Sequence, residues 1–253
     1  MPIPALEPWR WILGALCALG VGVAKTGVPG LGILVVPLMV LAVGDARQSA
    51  GWLLPMLCAA DVFAVVYYRR HAQARRLFSL APWVLLGMGA GAWMLGGPEQ
   101  LLRRVIGSIV LLIIAFSWLR KPAAPTASGE PLQQERVLRA AAYGITAGFA
   151  TTVANAAGPV MNMYLLAKRL PKEEFIATGA WFFFLINLCK LPIYGARGLI
   201  GERSLIFDAI LLPVVVVGSL LGRAIVARLP QKAFERAVLG ITAAAALLLL
   251  LPR

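Results

Sequence analysis

The chain has 253 residues, of which 60% are hydrophobic and 14% are charged, and its mean hydropathy is +0.82. A soluble domain of this length could not bury so many apolar side chains, so the composition excludes that class and indicates a polytopic membrane protein. The formal net charge of +13 arises in short loops between apolar segments, where Lys and Arg set membrane orientation, so we expect no nucleic-acid partner.

Hydropathy predicts about ten helical segments along the chain. In order, they are 9–26, 29–43, 48–68, 77–96, 103–119, 137–155, 158–168, 174–195, 204–226 and 233–251. The second and seventh segments fall short of the roughly 20 residues that cross a bilayer, so they are expected to be short, tilted or re-entrant. The first segment is expected to be a retained span, because no small-residue cleavage site follows it. Strand-like alternation is absent from the sequence, so the predicted fold is an all-α, polytopic helical membrane protein.

A glycine-rich interruption of a helical segment occurs twice, at Gly20–Gly32 and, roughly 128 residues later, at Gly148–Pro159. Other features recur in the same order. They are Asp61 and Tyr68 with Asn187 and Tyr194, Gly87 and Gly91 with Gly218 and Gly222, and Pro98–Arg104 with Pro230–Arg236. The preserved order predicts a duplicated unit of about five helical elements.

A polar stretch that is rich in Pro, Ser and Gly separates the two copies. We therefore predict a first transmembrane repeat over 1–120, a cytoplasmic linker over 121–136 and a second repeat over 137–253. If each interruption returns the chain to its starting side, the loops of one face carry fourteen Lys and Arg and those of the other carry seven. If each interruption crosses once, the split is twelve to nine. The first arrangement has the stronger positive-inside bias, so it predicts inverted repeats with both termini outside.

No metal or cofactor is expected. Cys17, Cys58 and Cys189 all lie inside apolar segments, and their spacing fits neither a metal site nor a disulfide framework.

The two interruptions are expected to create new helix N-termini at Pro29 and Pro159, because proline lacks an amide donor and suits the first turn of a helix. A helix N-terminus carries unpaired N–H groups and about half a positive charge, and it therefore attracts anions. In inverted copies two such ends can face one point, which is the usual place of a transporter's substrate site. The predicted substrate-binding residues at the interruptions are Thr26, Gly27, Gly30 and Gly158.

Lys25 adds a cation one turn before the first interruption. A lysine in an apolar segment costs on the order of 3 kcal/mol, so Lys25 either binds substrate or extends to the membrane surface. The matching position in the second copy is Val153. That copy instead offers hydroxyl and amide donors, namely Thr151, Thr152, Asn155 and Asn162, of which Asn155 lies at the interruption itself.

Lys190 is a second intramembrane cation, one turn from Asn187, and both residues are candidates for substrate binding. Asp61 occupies the position in the first half that is related to Asn187. Two interpretations stay open: Asp61 forms a structural ion pair with Lys190, or it is a coupling or gating group that carries a proton or competes with substrate for Lys190.

Two further patterns are interpreted as packing. The run Trp181–Phe184 surrounds its helix, so most of these rings must contact lipid or neighbouring helices. The pairs Gly87 with Gly91 and Gly218 with Gly222 have the small-xxx-small spacing that permits close helix contact.

At these residues the chain resembles the sulfite exporter TauE/SafE family of membrane transporters. The resemblance lies in the glycine-rich interruption Gly20–Gly32 followed by Pro37, in its repetition, and in the helix starts at Pro98 and Pro230. It covers essentially the whole chain. The resemblance implies movement of sulfite, organosulfonates or related sulfur-containing anions across the inner membrane, most commonly as export.

Together these features predict a secondary transporter, an exporter of a small sulfur-containing oxyanion, that works by alternating access. Its partners would be the anion, the lipid bilayer and a coupling proton or other ion, in the bacterial inner membrane; a homo-oligomer stays open. No Walker motif is present, so an ion gradient or the substrate gradient would supply the energy. The sequence also lacks a catalytic cluster, so no enzyme is predicted. The main alternative is a membrane-embedded structural or assembly subunit without transport activity.

Overall fold

The computed structural model describes residues 6–69, 74–94, 133–155 and 157–250, together with Pro4 and Ser108. These ranges contain nine helices and no strand. The helices are α1 (Pro8–Thr26), α2 (Gly32–Val43), α3 (Ala46–Tyr68), α4 (Ala74–Met94), α5 (Gln133–Ala154), α6 (Ala157–Ala167), α7 (Lys172–Ala196), α8 (Glu202–Arg228) and α9 (Gln231–Leu250).

The all-α prediction is confirmed, and nine of the predicted segments each correspond to one helix. The predicted segment 103–119, apart from Ser108, and linker residues 121–132 lie outside the described residues. Within the described ranges, α3 from Arg47, α7 and α8 are long and apolar enough to cross a membrane, whereas Leu34–Val43 is a shorter apolar helix.

The first interruption differs from its prediction by three residues. Helix α1 ends at Thr26, where the amide of Gly27 donates to the carbonyl of Val23 at 2.9 Å. Pro29 then lies in a turn with Gly30, whose φ of +105° is a conformation that glycine adopts readily. Helix α2 therefore begins at Gly32, and the expectation that Pro29 starts it was wrong, because this turn comes first.

The second interruption is tighter. Asn155 separates α5 from α6 and has a φ of +52°, a left-handed conformation that asparagine tolerates better than most residues. Its amide donates to the carbonyl of Thr151 at 3.0 Å, which closes the last turn of α5. Helix α6 begins at Ala157, two residues before the start that was predicted at Pro159, and Pro159 is its third residue, in the first turn of the helix.

The chain forms two compact units. The first unit comprises 1–74 and 168–238, and its helices pack as α1 on α2 and α8 and as α3 on α7 and α8. The second unit comprises 75–167 and 239–253 and contains nearly all of α4, all of α5 and α6, and most of α9. The core of the first unit is apolar, with Cys17, Val21, Met39, Leu53, Phe207 and Val215 among its members.

Glycines bring α1 and α8 into backbone contact within the first unit. A Cβ at Gly22 would meet the backbone of Gly218 and Ser219, and one at Gly222 would meet Val23 and Thr26. The absence of side chains at these positions lets the two backbones approach closely, as in the small-xxx-small packing of membrane helices. The packing role predicted for Gly218 and Gly222 is confirmed.

The second unit repeats this crossing between α5 and α4, where Gly87 and Gly91 confirm the same prediction. Equivalent contacts recur in the same register. The contact of Gly22 with Val215 and Ser219 corresponds to that of Gly148 with Val84 and Met88. Likewise, Gly218 with Leu19 corresponds to Gly87 with Ile145, and Gly222 with Thr26 corresponds to Gly91 with Thr152. The interruptions are therefore related by 22 to 148, an offset of 126 and not of 128. By this offset Thr151 is the residue of the second copy that is equivalent to Lys25, so the sequence match of Lys25 to Val153 was wrong by two residues.

Helix α8 has an apolar outer face and a partly polar inner one. Its exposed large hydrophobic side chains are all aliphatic: Leu205, Ile210, Leu212, Val217, Leu220, Leu221 and Ile225. Its exposed charged side chains lie in the first turn and in the last two turns: Glu202, Arg203, Arg223 and Arg228. Its buried face carries Asp208 and Ser219 beside the glycines. This is the reverse of a soluble helix, and it fits an outer face that contacts lipid and an inner face that contacts protein.

Candidate functional site

The first unit buries a group of polar and charged side chains. Its buried members include Thr26, Asp61, Asn187, Lys190, Asp208 and Ser219. Charged and amide groups are expensive in a membrane interior, where they usually pair with one another or mark the path of a substrate or ion. This group is therefore the candidate functional site.

Lys25 and Asp61 form an ion pair at its centre. The ammonium nitrogen of Lys25 lies 2.7 Å from Oδ1 of Asp61, and the Lys25 side chain is 12% exposed whereas Asp61 is fully buried. Asn187 donates from Nδ2 to Oδ2 of Asp61 at 2.6 Å, so each carboxylate oxygen has a partner. Helices α1, α3 and α7 thus each contribute one side chain to a three-residue contact.

Phe183 completes the surroundings of Lys25. The ammonium nitrogen lies 4.3 Å from the ring centroid of Phe183, which is the geometry of a cation–π interaction. The aromatic run Trp181–Phe184 was interpreted as packing, and two ring contacts within the run agree with that role. Phe183 is nevertheless a site residue that sequence reasoning missed, because the sequence does not reveal which of four adjacent rings faces a cation.

The last turn of α1 is held on two sides. The hydroxyl oxygen of Thr26 lies 3.0 Å from the carbonyl oxygen of Gly22 and 2.6 Å from that of Ser219 in α8. The hydroxyl of Tyr68 donates to the carbonyl of Thr26 at 2.9 Å. These bonds occupy the Thr26 side chain and place Lys25, the preceding residue, next to Asp61.

Lys190 belongs to the same buried group. It is almost completely buried, and its ammonium nitrogen lies 5.8 Å from the ring centroid of Tyr194. The thiol of Cys58 lies within electrostatic reach of Lys25, Asp61, Lys190 and Asp208. We call these four charged residues the charge cluster. In one of the two sequence interpretations Asp61 forms an ion pair with Lys190, whereas the ion pair at 2.7 Å joins Asp61 to Lys25.

The second unit holds the predicted residues of the second interruption. Thr151, Thr152 and Asn162 are buried, and Asn155 is half-buried. The hydroxyl of Thr152 donates to the carbonyl of Gly148 at 2.9 Å, and Nδ2 of Asn162 donates to Oγ1 of Thr242 at 3.2 Å. A Cβ at Gly158 would meet nothing within 4 Å, so packing does not require glycine there.

The structure thus brings together one group of predicted residues, Lys25, Thr26, Asp61, Asn187 and Lys190, with Gly27 and Gly30 in the adjoining turn. Thr151, Thr152, Asn155, Gly158 and Asn162 follow one another in the second unit, at the end of α5 and in α6. The meeting of the two groups around one substrate stays a prediction.

Sequence reasoning did not select Asp208, which is a member of the group, or Cys58, which lies within electrostatic reach of the charge cluster. A signal for Asp208 was present, because an acidic residue stands in the apolar run Leu205–Leu212 just as Lys25 stands in the first segment. Its position near the start of the predicted segment 204–226 made it resemble a residue at the membrane surface. No sequence pattern distinguishes Cys58 from a packing cysteine.

A comparison with known proteins agrees with the resemblance found in the sequence. A family model described as sulfite exporter TauE/SafE matches residues 13–249, which is nearly the whole chain and includes both interruptions and the charge cluster. No curated protein and no solved structure matches the chain. The chain therefore belongs to the sulfite exporter TauE/SafE family of membrane transporters.

Proposed function

We propose that the protein is a secondary transporter that exports a small sulfur-containing oxyanion, such as sulfite or an organosulfonate, across the bacterial inner membrane. Family membership supports the sulfur-containing substrate and the direction of transport. The observation that carries the proposal is the partly exposed ammonium group of Lys25, held beside the interruption of α1 by Asp61 and Phe183. A transporter needs no catalytic group, and we propose no enzyme activity.

Asp61 acts as the gate in this proposal. Without substrate, the carboxylate of Asp61 holds the ammonium group of Lys25. An arriving oxyanion competes for the same N–H donors, because charge-assisted hydrogen bonds to anionic oxygen are the strongest that lysine makes. Lys190 adds a second positive charge to the site, within electrostatic reach of the carboxylate of Asp61 that Lys25 contacts. Asn187 keeps Asp61 in position when Lys25 turns to the substrate.

The second interruption supplies the other side of the site in this proposal. The two equivalent helix crossings support a duplicated architecture with inverted repeats over 1–120 and 137–253, joined by a cytoplasmic linker. Hydroxyl and amide groups at Thr151, Thr152, Asn155 and Asn162, with the open position at Gly158, would then bind the oxyanion oxygens that Lys25 does not reach. Alternating access would expose this shared site to each side of the membrane in turn.

Flux of labelled sulfite in liposomes tests the proposal. We expect the wild type to exchange internal for external sulfite, and Lys25→Met to reduce the rate about 10- to 100-fold. The reason is that a hydrogen bond to a charged group contributes about 1.5–3 kcal/mol, and 1.4 kcal/mol corresponds to a factor of ten. Lys232→Met is the matched control, because Lys232 is an exposed lysine of α9.

The outcomes separate the classes of function. Wild-type protein that moves neither sulfite nor an organosulfonate would overturn the transport proposal and favour the structural or assembly subunit. Sulfite flux that is equal in Lys25→Met and Lys232→Met would retain transport but reject the assigned site.

The role of Asn155 is best tested by Asn155→Gly. Glycine adopts the positive φ of this position without strain, so the variant removes the amide and preserves the turn. If the amide binds the anion, the KM for labelled sulfite rises about 3- to 10-fold, since a neutral hydrogen bond contributes about 0.5–1.5 kcal/mol. Asn155→Asp is the companion variant, and its negative charge should raise the KM further. An unchanged KM in both variants would assign Asn155 to the backbone turn alone.

A further inference from the structure

Asp208 is the second carboxylate in the interior of the first unit. It lies in the second turn of α8 and is 8% exposed. Neither Oδ1 nor Oδ2 has a hydrogen-bond partner among the described residues. Asp61 differs sharply, because Lys25 and Asn187 hold its two oxygens.

The groups that face Asp208 do not supply a counter-ion. Helix α8 packs against α1 and α3, and the titratable group of α3 on which Asp208 acts is the thiol of Cys58. The ring of Phe207, the residue before Asp208, contacts the rings of Trp11 and Trp52.

Among the described residues, charged and polar groups of the helices around Asp208 bond to other groups, except Nε of Arg10 and Oγ of Ser219, which have no hydrogen-bond partner and so do not bond to Asp208 either. On α1, Arg10 points to the carbonyl of Val43 at 3.4 Å and Lys25 pairs with Asp61. On α8 itself, the hydroxyl of Ser204 donates to the carbonyl of Gly201 at 2.8 Å. Lys190 of α7 lies within electrostatic reach of Cys58, as Asp208 does, and its ammonium nitrogen is 5.8 Å from the ring centroid of Tyr194.

An ionised carboxylate without a partner is very unfavourable in a low-dielectric interior. Binding a proton removes the charge and leaves a neutral carboxylic acid, with no other bond made or broken. With Asp208 ionised, its formal charge balances the remaining sum of Lys25, Lys190 and Asp61, whereas with Asp208 neutral the cluster has one net positive charge and attracts an anion.

We infer that Asp208 is the binding site of a transported proton, and that the proton and the anion bind together and cross the membrane in the same direction. The inference rests on the proposed transport function and adds the coupling ion to it. In this inference Asp61 competes with the anion for Lys25, and the protonation state of Asp208 determines the net charge of the charge cluster. Net movement follows the combined gradients of the two ions, so a high internal anion concentration drives both outward.

Infrared spectroscopy of the purified protein tests the proton site without any transport assay. We expect the C=O stretching band of a neutral carboxylic acid, which disappears as the pH is raised. Asp208→Asn should lack this band, Asp208→Glu should shift its frequency, and Glu202→Gln should leave it unchanged, because Glu202 is an exposed acid at the start of the same helix. A spectrum that is identical in wild type, Asp208→Asn and Asp208→Glu at every pH would overturn the inference.

A liposome assay tests the coupling. The probe is labelled sulfoacetate, in which the sulfonate stays ionised near neutral pH, with labelled sulfite in a parallel set and a pH-sensitive dye inside the vesicles. In wild type and Glu202→Gln an outward anion gradient should carry protons outward. In Asp208→Asn, anion exchange should still be measurable, but the proton flux per anion should fall by at least about tenfold.

The two proposals fail in different ways. Wild-type protein that exchanges neither anion defeats the proposed function. Wild-type protein that exchanges anions with the same proton flux as Asp208→Asn defeats the assignment of Asp208 alone. If Asp208→Asn does not fold, the band shift in Asp208→Glu and its retained proton flux decide the question.

Discussion

Lys25→Met is expected to destabilise the protein by about 3–5 kcal/mol, because it leaves the carboxylate of Asp61 in the interior with no cation in contact. Asn187 would still donate to one oxygen, but a single amide does not replace an ammonium group at 2.7 Å. Asp61→Asn should destabilise the protein by a similar amount, since it leaves the ammonium group of Lys25 without its anionic partner. Unfolding in detergent micelles, followed by tryptophan fluorescence, measures both changes.

The double variant Lys25→Met/Asp61→Asn removes both charges and should recover at least half of the lost stability, because replacing a buried pair by neutral groups is often nearly neutral. Transport should not recover with it, since the ammonium group that binds substrate is gone. Lys232→Met controls for the loss of a lysine elsewhere in the chain. Additive losses in the double variant would mean that the contact between Lys25 and Asp61 contributes nothing to folding.

The sequence identified the charged residues of the site but not which of them pairs with Asp61. Intramembrane position alone identified Lys25, Asp61, Asn187 and Lys190 as special, because charged and amide groups are rare in apolar segments. Which cation meets which anion depends on how far α1 slides along α8 and α3. That displacement is set by glycine contacts such as Gly22 with Ser219, and a one-turn change would bring a different residue to Asp61.

Segment positions were predictable for a simpler reason. Apolar length and the loop prolines and glycines mark helices without any knowledge of their neighbours, so the helix order followed from hydropathy. The ends were less certain: α5 begins at Gln133 and not at residue 137, because the polar residues before the apolar segment also form helix. The two-residue error in matching the interruptions has the same origin, since glycine-rich runs can be aligned in several registers until contacts select one.

Gly22→Ala and Gly148→Ala should each destabilise the protein by about 1–3 kcal/mol, although alanine is intrinsically the better helix former. The added methyl group at Gly22 would meet the backbone of Ser219, and that at Gly148 would meet the backbone of Val84. A backbone cannot rotate aside as a side chain can, so the two helices must separate. Gly240→Ala is the matched control, because a Cβ there meets nothing within 4 Å and should stabilise α9 slightly.

The comparison between these two variants also bears on the duplicated architecture. Equivalent crossings should respond with losses of similar size, measured by the same unfolding assay in micelles. A large loss in Gly22→Ala with none in Gly148→Ala would contradict the equivalence of the crossings. Gly22→Ala should additionally slow sulfite exchange, because Gly22 lies one turn before Lys25 and accepts a hydrogen bond from Thr26. Any separation of α1 from α8 therefore breaks the contact of Thr26 with Ser219 that holds the last turn of α1, and this helix crossing also positions the charge on which the proposed transport depends.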